Sequence, residues 1–90
     1  MVAYDIVFTK LALKHIKLLK QAGLKEKTCQ VLELLKLNPR QTPPPYEKLM
    51  GDMYGFYSRR INYQHRLVYD VDDDAHTVKI LSMWSHYEQL

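Results

Sequence analysis

The chain has a single cysteine, Cys29, among its 90 residues. An intramolecular disulfide is therefore impossible, a zinc site of several thiolates is excluded, and the thiol usage fits a reducing cytoplasm. Nowhere do about 18 apolar residues run consecutively, and the N-terminal MVAYDIVFTK lacks a basic flank leading into a long apolar stretch, so neither a membrane span nor an export signal is expected. A glycine-rich phosphate loop and a Gly-x-Ser-x-Gly elbow are both missing, which removes support for nucleotide hydrolysis and serine-type acyl transfer. Asp72-Asp73-Asp74 lacks the spacing and glycine of a calcium loop, and His15, His65 and His76 lack metal-ligand spacing. The three acids read as a hairpin turn, the histidines as structural or surface groups, and no metal or cofactor is expected.

What is present is the composition of one ordinary globular domain, residues 1–90, with 47% apolar and 26% charged residues. A formal charge of +3 and a pI near 9.0 favour polyanionic partners without naming one. Residues 4–8 are short and β-prone, and Thr9 can cap a following helix. Over 10–22, Ala12, Ile16 and Leu19 recur at helical spacing while Lys10, Lys14 and Lys17 form a second, basic stripe. Gly23 breaks the pattern, 24–37 resumes it, and Asn38-Pro39 stops it, giving a helical hairpin. Pro43-Pro44-Pro45 make 40–52 an extended connector, a simpler reading than an SH3-type ligand.

Residues 56–61, 65–72 and 77–84 read as three strands with short connections at Asn62-Tyr63-Gln64 and Asp73-Asp74-Ala75, hence antiparallel neighbours. In the second of these, Leu67, Tyr69 and Val71 share one face and Arg66, Val68 and Asp70 the other. The last strand carries Val78 and Ile80 on one side and Leu81 and Met83 on the other, as a central strand would. The element order β-α-α-β-β-β, with a mainly antiparallel sheet and a helical hairpin on one face, defines an α+β fold.

The densest cationic cluster is Ser58-Arg59-Arg60 followed by His65-Arg66. Arg59 and Arg60 must point to opposite faces, so one of them can join Arg66, and the expectation is Arg59. Guanidinium groups on a rigid face can grip phosphate oxygens in pairs. Glu47 and His86 could serve as base and acid, since RNA cleavage removes a proton from a 2′-hydroxyl and returns one to the departing 5′-oxygen, neither step needing a metal. Tyr87 and Trp84 offer rings for stacking on bases, with core or dimer packing the preferred reading for Trp84. On residue types alone, the arginines could equally be solvated or paired with Asp70 and Asp72, Glu47 an exposed carboxylate, and His86 incidental.

Four motifs narrow this field: Glu47-Lys48-Leu49, Tyr57-Ser58-Arg59-Arg60-Ile61-Asn62, His65-Arg66-Leu67-Val68-Tyr69 and Trp84-Ser85-His86-Tyr87. In order and spacing they resemble the YoeB/Txe family of toxins, within the RelE-like group. The resemblance implies a RelE-like fold and the toxin of a type II toxin-antitoxin pair, a ribosome-dependent endoribonuclease that cuts messenger RNA. It implies restraint by an acidic YefM/Axe-like antitoxin, and a homodimer is open. Carried over, Glu47 is the general base, His86 the general acid, Arg66 the phosphate-stabilising arginine and Tyr87 a tyrosine near the substrate. Arg59 and Lys48 are supporting RNA contacts. Tyr57 stands where some members carry Trp, Met50 where Lys can occur, and Glu88-Gln89-Leu90 extend past the His-Tyr pair. Two rivals belong to other classes: a noncatalytic RelE/ParE-like toxin that acts by binding a protein, and a plain RNA-binding module.

Overall fold

The computed structural model describes residues 3–43 and 45–84. Strand β1, Asp5–Phe8, runs into Thr9, whose extended backbone and Oγ1, accepting from the Ala12 N–H at 3.1 Å, start helix α1, Lys10–Gln21. The Thr9 hydroxyl also donates to the Leu81 carbonyl, so the cap ties the helix start to the sheet. α1 ends as a Schellman motif: Gly23 takes φ +73°, its N–H donates to the Lys20 carbonyl, and the Leu24 N–H reaches back to Leu19. Helix α2, Lys25–Leu37, follows, and the Asn38 N–H closes its last turn on the Leu34 carbonyl before Pro39 prevents continuation.

The sheet has five strands in the order β1-β5-β4-β3-β2. β3 (Tyr57–Arg60), β4 (Arg66–Asp72) and β5 (Thr77–Ser82) are the antiparallel strands expected, and β1 adds to β5 in parallel. β5 is an interior strand, between β1 and β4, as expected of it. The fifth strand is a departure: Glu47–Lys48, inside the expected connector, forms β2 on the far edge, antiparallel to β3. Two residues are too few to show an alternation, so only the pairing with β3 reveals it.

Ala12, Leu19, Leu35, Leu67, Tyr69, Val78, Ile80 and Met83 form the buried core between the helices and one sheet face. Each large apolar side chain so buried contributes about 1.5–3 kcal/mol. The helices lie over β1 and β5. Towards β3 the same face carries Tyr57, stacked on Tyr69 and met edge-on by Tyr46 from the connector. Met83 was expected opposite Val78 and Ile80 but joins them. A β-bulge explains this: Tyr69 pairs with Ile80 while Val68 pairs with Ser82, so Leu81 is an extra residue that inverts the alternation.

Candidate active site

Residues directly opposite in an antiparallel pair share a face. Glu47 pairs with Ser58, Ser58 with Val68, and Arg60 with Arg66, so these side chains occupy the sheet face turned away from the helices. Arg66 reaches across β3: one guanidinium nitrogen, Nη1, donates to Ser58 Oγ at 2.9 Å, and Nη2 donates to Glu47 Oε1 at 3.0 Å. The Arg66 side chain is only 10% exposed, the Glu47 side chain 54%. The guanidinium is thus held in one orientation by a buried hydroxyl, while the carboxylate it pairs with stays open to an incoming molecule. A half-exposed pair of this kind adds about 0–1 kcal/mol to stability, so its consequence is geometric. Arg60 is exposed at the end of β3 and donates to the Tyr63 carbonyl at 3.1 Å.

Arg59 does not join Arg66, and that expectation is corrected. It pairs with Leu67 on the core face and is 1% exposed. Its Nε donates to the Tyr69 hydroxyl, its Nη2 to the carbonyls of Pro39 and Gln41, and its guanidinium lies 4.9 Å from the centre of the Tyr46 ring. Burial pushes the Tyr69 phenol up to about 12, against the opposing pull of Arg59, so it remains a neutral hydroxyl. The signal that would have found the true pairing was the turn itself. With Asn62-Tyr63-Gln64 as the connection, Ile61 and His65 close the hairpin, as the Ile61 N–H to His65 carbonyl bond shows, and Arg60 necessarily falls opposite Arg66.

Lys48 also stands apart. It follows Glu47 on a strand, pairs with Tyr57, and lines a shallow surface pocket with Met50 and Tyr54. A second pocket gathers Val31, Pro45, Tyr46, Glu47, Arg59, Arg60 and Arg66 at the β2 side of the sheet. This pocket combines a carboxylate able to accept a proton with arginines able to hold an anion.

His86 and Tyr87 lie outside the described residues. The chain before them is firmly placed. Trp84 stacks on His65, the neighbour of Arg66, with ring centres 4.0 Å apart, and the Met83 N–H donates to His15 Nδ1 at 3.0 Å. That bond uses the imidazole lone pair, so His15 is neutral with its proton on Nε2. Burial lowers the affinity of both His15 and His65 for a proton. His76 stacks on Tyr4, and the Ala75 N–H donates to the Asp72 carboxylate within a turn, as expected of that acidic run. Among the described residues no group of three or more His, Cys, Asp or Glu is arranged to hold a metal ion, and no helix is long and apolar enough to cross a membrane.

Residues 12–87 match the family described as the YoeB-like toxin of bacterial type II toxin-antitoxin systems. The chain belongs to that family. Among solved structures, the YoeB/ParE toxin from Agrobacterium tumefaciens aligns with the YoeB-like chain at a TM-score of 0.83 and 28% identity, over 92% of this chain and 99% of that one. Two structures of YoeB from Staphylococcus aureus are similar: a YoeB-YefM complex (TM-score 0.78, 36% identity, 93% and 98% covered) and a YoeB dimer (0.77, 33%, 94% and 99%). The archaeal RelE of a RelE-RelB complex from Pyrococcus horikoshii shares the fold, with a TM-score of 0.75 at 22% identity, 92% and 94% covered. The YoeB-like fold is therefore RelE-like, as the resemblance implied. No curated protein is significantly similar to the chain in sequence.

Proposed function

We propose that this YoeB-like toxin is a ribosome-dependent endoribonuclease that cuts messenger RNA and so stops translation. The observation that carries the reading is the Glu47-Ser58-Arg66 arrangement on the sheet face left uncovered by the helices. Cleavage needs a base at the 2′-hydroxyl, positive charge at the phosphate and an acid at the 5′-oxygen. Glu47 removes the 2′ proton and the alkoxide attacks the adjacent phosphorus. Arg66, whose Nη2 donates to Glu47, transfers that donor to a nonbridging oxygen when RNA binds and leaves the carboxylate available as base. Arg60, opposite Arg66, takes the second cationic position that sequence reasoning gave to Arg59. His86 protonates the leaving oxygen, Tyr87 contacts the substrate beside it, and the product ends in a cyclic phosphate.

The antitoxin is an acidic YefM-like chain, by analogy with the YoeB-YefM complex of Staphylococcus aureus and in keeping with a net charge of +3. The dimer of that relative supports a homodimeric form here, and translating ribosomes place the working site in the cytoplasm. The test is RNA 5′-end mapping with translating ribosomes. Glu47→Gln and His86→Gln should each lower cleavage by about 10²–10⁴-fold while thermal unfolding stays near wild type. Full growth inhibition by the double variant would instead identify a toxin that acts by binding a protein. Salt-sensitive binding of wild type to RNA with no cleaved product would identify a binding module.

A further inference from the structure

From the buried contacts of Arg59 we infer that this residue positions the general base by clamping the connector that delivers it; the inference rests on the reading of Glu47 as that base. β2 has two residues and lies at the sheet edge, so its ladder alone cannot define where Glu47 points. Beyond it the Leu49 N–H is fixed to the Phe56 carbonyl. Before it stand Pro43, Pro44 and Pro45, which have no N–H to offer. Such a segment can be anchored mainly through its carbonyls, and that requires donors from elsewhere.

Arg59 supplies them. Its planar fork donates to the carbonyls of both Pro39 and Gln41, and the Tyr69 hydroxyl, which accepts from Arg59 Nε, donates to Pro39 as well. Its guanidinium also backs the ring of Tyr46, the residue immediately before Glu47. One buried side chain therefore holds the beginning of the connector and the residue at its end, while its neighbours on β3, Ser58 and Arg60, serve the opposite face. A lysine has the charge without the fork: one ammonium can serve the two carbonyls that share Nη2, but not the Tyr69 hydroxyl and the Tyr46 ring as well.

The test measures single-turnover cleavage on ribosomes and binding of an uncleavable 2′-deoxy-substituted mRNA for Arg59→Lys, Arg59→Gln and Tyr69→Phe. The last removes only a hydroxyl and keeps the measurement possible if the arginine variants fold poorly. Cleavage should fall about 10–100-fold in Arg59→Lys, further in Arg59→Gln and less in Tyr69→Phe, with binding changed less than twofold. In a Glu47→Gln background Arg59→Lys should have no additional effect. Weakened binding with a shallower salt dependence would overturn the inference in favour of a phosphate contact. An unchanged rate per folded molecule would overturn it in favour of a purely structural residue. If wild type cleaves nothing, the reading of Glu47 fails separately, and amide hydrogen exchange at Tyr46, Glu47 and Lys48 decides. Faster exchange in Tyr69→Phe supports the clamp, and unchanged exchange rejects it.

Discussion

Arg66 and Arg59 are one pairing position apart and have opposite fates, because alternation along a strand sends one to the face turned away from the helices and the other to the core face. At Arg66 the fork matters more than the charge. Arg66→Lys cannot reach Ser58 and Glu47 together, and cleavage should fall about 100-fold with little loss of thermal stability. Ser58→Ala leaves the guanidinium without its buried acceptor and should cost about 1 kcal/mol in urea unfolding. His15 gives a pH signature. Burial holds its proton affinity below the ordinary 6.5, so the unfolded chain takes up the proton first. The contribution is complete above that value and is lost as pH falls through the lowered folded one. Urea midpoints at pH about 7 and about 5 should differ less in His15→Gln than in wild type. The sequence showed which residue types were available for chemistry, Glu47 and Arg66 included. It could not phase Arg59 and Arg60 until the hairpin closure at Ile61 and His65 was counted.

Among the elements, those that carry their own signals were legible. Thr9, Gly23 and Pro39 mark the helix boundaries by capping, positive φ and a missing N–H, and each has the predicted local consequence. Thr9→Ala removes both the cap and the bond to Leu81 and should destabilise the protein by about 1–2 kcal/mol in urea titration. Leu35→Ala, which empties a fully buried position under α2, should cost about 2–5 kcal/mol in the same measurement. β2 and the bulge in β5 were not legible. Both are properties of a pair of strands, and no periodicity within either strand records them.

In the molecule as a whole, distant segments are joined at one turn. Asp73 between β4 and β5 accepts two bonds from Arg40 in the connector and one from Tyr4 before β1. The Arg40 bonds first, and the Tyr4 bond next, hold its carboxyl below the ordinary 3.8. That contribution is present above this value and disappears as pH falls through the lowered folded one. Asp73→Asn should therefore flatten the acid limb of the stability profile below pH about 4 and leave the neutral limb parallel to wild type, as followed by circular dichroism. The order of the elements other than β2, and the antiparallel run of β3, β4 and β5, were readable because strand, helix and turn signals agree along the chain. The joining of Tyr4, Arg40 and Asp73 was not, since no local pattern links positions so far apart. The bulge has a consequence for how the chain can change. Because Leu81 is surplus between the pairs Ile80–Tyr69 and Ser82–Val68, the last strand should keep its facing on losing that residue and change it on losing any other. Deleting Leu81 would make the ladder regular and leave Met83 on the core face, but it would remove the carbonyl that accepts from the Thr9 hydroxyl, so the bulge serves the start of the first helix rather than the facing of the strand.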